Sequence, residues 1–219
     1  MENKKLQKLY ESVDKCKFCK TDKNLLQHIH GFGSLKPDLM LILINPTQRN
    51  LSSDPKYKGA RFPFIGVRQF WKVLADGGLI SKKITDKLPL RKDWNDNDTE
   101  KIKRELISNR LFLTNIVKCC YYHSLYPDDK VVKDQMKIMA EEIRIVKPKR
   151  ILAFGALVYK TLTGKNIKFC EYWSNKGDTK AVGDIISGLK IVVEPCYFPI
   201  GRGNPKKAAE IMKKIIFKK

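Results

Sequence analysis

The chain has 219 residues, 42% of them hydrophobic, and its 44 Lys+Arg against 23 Asp+Glu give a formal charge of +21. This length and hydrophobic content predict one domain over residues 1–219, with an N-terminal helix and cysteine loop (1–35) packed on it. No apolar run is long enough to cross a bilayer, and MENKKLQKLY lacks the apolar core of a signal peptide. We therefore expect an intracellular protein, in the cytoplasm or with the nucleoid.

Apolar runs and helical patterns alternate along the chain. The predicted helices cover residues 3–14, 67–74, 98–108, 131–146, 156–162 and 204–217. The predicted strands cover residues 39–44, 111–117, 150–155 and 191–194. Four buried strands alternating with helices predict a three-layer α/β/α sandwich with a central, mainly parallel four-stranded sheet. The long loop over residues 46–66 is a candidate for function, because loops of that length are uncommon in compact domains.

The carboxyl ends of parallel strands lie at one edge of a sheet, where ligands bind in open α/β folds. The first strand ends in Asn45-Pro46-Thr47-Gln48, the second carries Asn115, and the fourth leads into CYFPIGRG. The loop after the first strand adds Phe64 within RFPFIG. Amide side chains and aromatic rings suit a planar, amide-like ligand such as a nucleobase. The sequence has neither a phosphate-binding glycine motif after a strand nor a GxSxG nucleophile turn, which disfavours nucleotide-cofactor and serine hydrolase chemistry.

The order of these motifs resembles the uracil-DNA glycosylase superfamily over residues 10–215. INPT after the first strand and RFPFIGVRQFW are similar to motifs of the mismatch-specific uracil/thymine branch. TNIVKC and the earlier Cys16-x-x-Cys19 resemble the thermophilic iron–sulfur branch, and FPIGRGNP resembles the second active-site motif. The resemblance implies a repair enzyme that removes uracil or a related deaminated base from DNA, as a monomer.

The resemblance implies roles for individual residues. Asn45 would position the attacking water, and the backbone of Pro46, Thr47 and Gln48 would lie against the base. Phe64 would stack on the flipped base, and Asn115 would hydrogen-bond its edge. The loop made of Ile200, Gly201 and Arg202 would contact DNA and fill the space that the base leaves.

Two positions depart from the family pattern. Phe198 stands where most members have a histidine that donates a hydrogen bond to the departing base, and Thr47 replaces a glycine. A phenylalanine cannot donate, so stabilisation of the leaving group would fall to backbone amides and Asn115. These departures keep a second hypothesis open, a catalytically weak or inactive nucleic-acid-binding protein on the same scaffold.

Structural roles also explain these residue types. Asn45 before a proline can begin a turn, and Asn115 can hold a neighbouring loop. Phe64 can belong to the core, and Arg202 can be a solvated surface residue. The lysine excess could reflect a lysine-rich proteome, although such a bias usually brings glutamate with it.

Six cysteines in an intracellular chain indicate metal or redox chemistry before disulfides. The iron–sulfur resemblance implies a 4Fe-4S cluster held by Cys16, Cys19 and Cys119. Its fourth ligand would lie near Gln135, where the chain has no cysteine, and Cys120 or His123 could substitute. Alternatively, Cys16, Cys19, His28 and His30 could form a zinc site, or the thiols could be free. The glycosylase chemistry itself requires none of these metals.

Overall fold

The computed structural model describes residues 2–16, 25–90, 93–121, 126–174, 182–185 and 189–217. The predicted ligand Cys19 and its alternative His123 lie outside these ranges. The helices are α1 Glu2–Asp14, α2 Arg68–Asp76, α3 Lys82–Thr85, α4 Asp96–Ser108, α5 Asp129–Val146, α6 Ala156–Thr163, α7 Phe169–Ser174 and α8 Pro205–Phe217. The strands are β1 Leu25–His28, β2 Phe32–Gly33, β3 Leu39–Leu43, β4 Leu111–Asn115, β5 Cys119–Tyr121, β6 Arg150–Phe154, β7 Val182–Ile185 and β8 Leu189–Cys196.

Within the described ranges, six strands form one sheet in the order β2-β4-β3-β6-β8-β7. The four central strands are parallel, and they are the four that the sequence predicts. Two short antiparallel strands, β2 and β7, add an edge on each side. A separate ribbon joins β1 to β5. The predicted mainly parallel sheet is therefore confirmed, with antiparallel edges that the prediction lacked.

Alternate residues of β3 enter two different hydrophobic layers. Leu39, Leu41 and Leu43 pack with α2, α4 and α8, whereas Met40 and Ile42 pack with α1, α5 and α6. The same alternation continues in β4 and β6, because successive side chains of a strand point to opposite faces. A sheet buried on both faces explains the uninterrupted apolar runs. The predicted three-layer α/β/α sandwich is confirmed.

Local capping signals set where the helices begin. Asn95 and Asp98 form a reciprocal capping box at the start of α4. The Asn204 side chain accepts a hydrogen bond from the Lys207 amide at 3.0 Å, and Pro205 takes the first position of α8. Every helix in the described ranges is too short or too polar to cross a bilayer.

Candidate active site

The parallel register brings the polar strand ends to one edge of the sheet. Leu43 is opposite Asn115 in the β3–β4 pair, and Phe154 is opposite Cys196 in the β6–β8 pair. Hydrogen bonds beyond the strands extend this alignment, from the Ile116 amide to the Leu43 carbonyl at 2.8 Å and from Val117 to Ile44 at 2.9 Å. The segments that follow β3, β4 and β8 therefore leave the sheet at the same edge, as predicted.

Asn115 is the most informative side chain at this edge. It is 1% exposed, yet neither its amide oxygen nor its amide nitrogen has a hydrogen-bond partner among the described residues. By strand alternation it lies on the same face as Leu111 and Leu113, the face that carries Phe64 and Phe198. Burying a polar group without a partner costs about 1–3 kcal/mol, so such a group calls for an explanation. A ligand with a polar edge would supply the missing partners.

Asn45 lies at the same edge of the sheet, two residues beyond Leu43, which is opposite Asn115. It is half-buried, and its amide nitrogen donates to the Pro46 carbonyl at 3.1 Å. Pro46 is buried, Thr47 is half-buried and Gln48 is exposed. The Thr47 carbonyl accepts from the Asn50 amide at 2.9 Å, which turns the chain away from the sheet. This segment therefore presents one amide side chain and a stretch of backbone to the edge that holds Asn115.

Phe64 has a strained backbone conformation. Its φ is 64°, a left-handed value that costs about 1–3 kcal/mol in a residue other than glycine. The Trp71 indole donates to the Phe64 carbonyl at 2.8 Å and holds this conformation. The ring stacks on Phe70 with centroids 3.8 Å apart and planes 10° apart, and it is half-buried. One face is thus supported from below, while partial exposure leaves ring surface for a second planar group.

The loop after β8 is a tight turn with an exposed tip. The Gly203 amide donates to the Ile200 carbonyl and the Asn204 amide to the Phe198 carbonyl, both at 3.0 Å. A side chain at Gly203 would have its Cβ 1.9 Å from the Phe198 carbonyl oxygen, so the turn requires glycine there. At the tip, Ile200 is half-buried, whereas Gly201, with a φ of 61°, and Arg202 are exposed. The turn holds one apolar and one cationic side chain at its tip.

Phe198 is half-buried on the face that also carries Phe64, at the base of this turn. Its ring offers no hydrogen-bond donor, so this part of the site is apolar. Cys196, the last residue of β8, is buried, and burial raises the pKa of its thiol well above the ordinary value. Cys196 is therefore a neutral core residue and no nucleophile at neutral pH.

The predicted metal ligands do not come together as a complete set in the described part of the chain. No three histidine, cysteine or acidic side chains within those ranges are grouped so that they could hold a metal ion. Cys119 and Cys120 are successive residues of β5, so their side chains point to opposite faces. The Cys120 thiol is hydrogen-bonded to Ser53, and burial raises its pKa to about 12, which keeps it protonated. This geometry argues against Cys120 as a ligand beside Cys119.

The other candidates offer only part of a ligand set. Cys16 is free and half-buried, and Cys119 is engaged in a disulfide, so a cluster would require Cys119 to be reduced. His30 Nε2 lies 2.9 Å from an oxygen of Asp14, and its ring stacks on Tyr10 at 4.5 Å. Because Asp14 also pairs with Arg61 at 2.6 Å, His30 belongs to a polar cluster that joins α1 to the loop between β3 and α2.

That cluster shifts both of its titratable members. Partial burial disfavours the Asp14 carboxylate, but Arg61 and His30 outweigh it and hold the pKa of Asp14 below its ordinary value. Burial lowers the pKa of His30, although Asp14 partly opposes the shift. His30 is therefore a neutral, hydrogen-bonded link at pH 7 rather than an acid or base at the candidate site.

Sequence analysis missed a buried polar network behind Asn115. Lys118 and Glu142 are both 0% exposed, and they pair at 2.6 Å. A charged residue on the apolar face of a helix was the available signal, since Glu142 occupies that face of α5 together with Met139 and Ile143. Asn50 was missed as well, and its buried side chain organises the loop before Phe64.

Fold and site together define a class of protein, an open parallel-sheet α/β/α sandwich with two amides, an aromatic ring and a cationic turn at the carboxyl edge. The family model of the uracil DNA glycosylase superfamily matches residues 30–216, and the chain belongs to that superfamily.

A Type-4 uracil-DNA glycosylase from Pyrobaculum aerophilum is 27% identical to the chain over 157 residues. The alignment covers 72% of this chain and 64% of the relative, so the chain spans just under two thirds of the relative's length.

Proposed function

We propose that the protein is a DNA repair glycosylase that hydrolyses the N-glycosidic bond of uracil, or of a related deaminated base, in DNA. The observation that carries this proposal is Asn115, a fully buried amide whose two polar atoms lack partners among the described residues. Family membership and the similarity to a uracil-DNA glycosylase support the choice of substrate class. This hydrolysis would be the first step of base excision repair.

The base must leave the stack before it can reach Asn115, because the sheet edge cannot approach a base inside the duplex. Turning a base out costs a few kcal/mol. Ile200 and Arg202 at the tip of the exposed turn would offset part of this cost, by filling the vacated space and by contacting phosphate. Stacking on Phe64 would contribute about 1–3 kcal/mol more.

At this edge of the sheet, Asn115 would hydrogen-bond the polar edge of the base. An asparagine side chain offers an acceptor for the N3–H of uracil and a donor for a ring carbonyl. Asn45, just beyond the end of the neighbouring strand, would hold a water against C1′ of the sugar. The water oxygen bonds to C1′ as the bond from C1′ to N1 breaks, and the electron pair of that bond leaves with the base. The proton of the water passes to solvent or to the departing base.

The site has few hydrogen-bond donors for the leaving group. Uracil departs as an anion, which needs donors directed at its ring oxygens. Phe198 supplies none, so the donors would be Asn115 and the backbone amides of the segment that begins at Asn45. This observation favours a second candidate function, a weak or inactive DNA-binding protein on the same scaffold.

The proposed bond cleavage itself requires no metal. Of the proposed iron–sulfur ligands, the described residues include Cys16 and the disulfide-bonded Cys119, which do not make a complete set. We therefore propose a structural role for a 4Fe-4S cluster, with a zinc ion as the alternative. Purification without oxygen, followed by iron, sulfide and zinc analysis, tests it directly.

We further propose that the chain is a single domain and that it binds DNA as a monomer. The Tyr10 hydroxyl donates to Glu142 at 2.5 Å, which joins the N-terminal helix to the core and supports a single unit. Sedimentation at micromolar concentration would give the mass of one chain. A dimer mass would contradict the monomer.

The test of function uses duplexes with a single uracil, hypoxanthine or xanthine, and scores abasic sites after alkaline cleavage. Release of at least one of these bases, with an undamaged duplex left intact, is the expected result. Salt-sensitive DNA binding with no release from any duplex would instead establish the non-catalytic binder.

A further inference from the structure

The buried pair of Lys118 and Glu142 is costly to keep. Both side chains are fully buried, and the ammonium nitrogen lies 2.6 Å from Glu142 Oε2. Removing two charges from water carries a penalty of several kcal/mol per ion, and an apolar pair of similar volume is often equally stable. Stability therefore does not account for the pair, and its surroundings must be considered.

Lys118 uses each of its three ammonium protons on a different acceptor. Besides Glu142, the nitrogen lies 2.5 Å from Thr114 Oγ1 and 2.7 Å from the backbone carbonyl of Asn115. An ammonium group has three donors, so this set is complete and Lys118 has none left for the base. Its influence on the site must pass through the backbone of Asn115.

Glu142 is fixed from two further directions. Tyr10 of α1 donates to Oε1 at 2.5 Å, and the Tyr10 hydroxyl accepts from the Gly31 amide at 3.0 Å. Thr114, which faces this layer, donates to Oε2 at 3.0 Å. Helices α1 and α5 and the end of β4 thus share one network, held against the face of the sheet opposite the one that carries the Asn115 side chain.

The Asn115 side chain has no hydrogen-bond partner of its own among the described residues, so its direction depends on its backbone. That backbone is held on one side by β3, through the Ile116 and Val117 amides, and at its carbonyl by Lys118. Loss of the Lys118 contact would leave the peptide group after Asn115 held only through the bond from the Ile116 amide to the Leu43 carbonyl. A tilt of that peptide group would turn the Asn115 amide away from the base edge that it must meet.

We propose that Lys118 is a positioning residue that orients the Asn115 amide for base recognition, with Thr114 and Glu142 holding its ammonium in place. The inference rests on the proposed function. It assigns the buried pair to recognition of the base and not to stability. Its effect is therefore specific to reactions that require Asn115.

The first test is the double variant Lys118→Met/Glu142→Gln, which removes both charges and the donor to Asn115 while leaving an acceptor for Tyr10. We expect a folded protein whose melting temperature falls by about a few degrees at most, because the Asn115 carbonyl loses its donor, and an affinity for undamaged duplex close to that of the unaltered protein. Single-turnover release of uracil should fall roughly ten- to hundred-fold, since small misplacements in a site have effects of that size. Inhibition by free uracil should weaken in parallel.

The matched control is Lys147→Met/Glu2→Gln. This lysine–glutamate pair also joins α1 to the end of α5, at 2.8 Å, but at the surface. The control variant should release uracil at the rate of the unaltered protein. A folded Lys118→Met/Glu142→Gln protein with the release rate of this control would overturn the inference.

A second measurement does not depend on activity. The side-chain amide of Asn115, observed by ¹⁵N NMR, should shift or broaden in the double variant and stay in place in the control. If the unaltered protein releases no base, the proposed function fails, and this measurement still decides whether Lys118 orients Asn115. An Asn115 signal unmoved in the double variant overturns the inference.

If the double variant does not fold, Thr114→Val takes its place. That substitution keeps both charges and the volume of the side chain but deprives the ammonium of one acceptor. We expect a several-fold slower release together with a shifted Asn115 signal. An unaltered rate and an unaltered signal would overturn the inference.

Discussion

At the scale of single residues, the recognition role that we propose for Asn115 explains why an amide is buried there without a partner among the described residues. Its neighbours in β4 are Leu113 and Thr114, and both are fully buried. Leu113 packs into an apolar layer and Thr114 bonds to Glu142, whereas the Asn115 side chain satisfies neither polar atom within the described structure. A position chosen for folding alone would carry an apolar side chain here.

We predict that Asn115→Leu leaves the protein as stable as before or raises its free energy of unfolding by about 1–3 kcal/mol. The substitution replaces an unsatisfied amide by an apolar side chain with the same number of heavy atoms, and it also removes the group that we propose reads the base. Thermal unfolding and uracil release, measured on the same preparation, check both parts. A destabilised variant that releases uracil at the normal rate would contradict this role.

Phe198→His should accelerate uracil release. An imidazole at this position can donate to the departing base, and a single donor to a developing oxyanion is worth about 10²–10³ in kcat. Because Phe198 is half-buried and not a core residue, we expect part of this gain, at least tenfold, with little change in stability. Single-turnover rates at pH 6 to 8 measure it. An unchanged rate would mean that Phe198 lies away from the leaving group.

At the scale of elements, the loop between β3 and α2 is rigidly built. Asn50 is buried, donates to the Phe62 carbonyl at 3.0 Å and accepts from the Ser52 hydroxyl at 3.0 Å. The Ser52 hydroxyl oxygen also lies 3.1 Å from the same carbonyl, so its one proton is shared between the Asn50 side chain and the Phe62 carbonyl. These bonds hold the segment just before Phe64. The strained Phe64 backbone is thus held by the Asn50 and Ser52 bonds before it and by the Trp71 bond to its own carbonyl.

Asn50→Ala should therefore lower both stability and activity. Loss of its bonds leaves buried polar groups unpaired, which costs about 1–3 kcal/mol, and a protein of this size loses about 2–4 °C of Tm per kcal/mol. The loosened loop should also slow uracil release. Asn97→Ala, an exposed position on α4, is the control. Equal effects of the two substitutions would show that Asn50 does not organise the loop.

The sequence alone predicted the strands and helices whose hydrophobic pattern is strong. Continuous apolar runs predicted the four central strands, because strands covered on both faces leave no polar positions. Strands β2 and β7 were missed, since a two-residue strand and an edge strand containing Gly183 and Asp184 lack any such pattern. Pairing with a neighbour, and not local composition, makes these segments strands.

For the candidate site, motif order predicted Asn45, Phe64 and Asn115, but it could not predict their support. Lys118 and Glu142 are 24 residues apart, and only the packing of α5 on the sheet brings them together. Their roles depend on long-range contacts, which local patterns do not encode. The left-handed backbone of Phe64 was likewise absent from any residue pattern.

At the scale of the whole molecule, the formal charge of +21 predicts strong and salt-sensitive binding to DNA. Six to ten phosphate contacts would weaken binding by about 10³–10⁵ between 50 and 200 mM salt. Arg202→Ala should lower the slope of log K against log salt by about one, because it removes one phosphate contact at the exposed turn. Lys149→Ala, at the opposite edge of the sheet, should not change the slope. Equal slopes for all three proteins would place DNA elsewhere.

The central claim is that the edge holding Asn45 and Asn115 hydrolyses the bond between uracil and the sugar with a water held by Asn45. Single-turnover release of uracil from a duplex with one U·G pair, compared between the unaltered protein and Asn45→Ala, tests it most directly. We expect release by the unaltered protein and a loss of roughly 10²-fold or more in Asn45→Ala, as for removal of other positioning groups, with DNA affinity retained. Release at equal rates by both proteins would contradict the account.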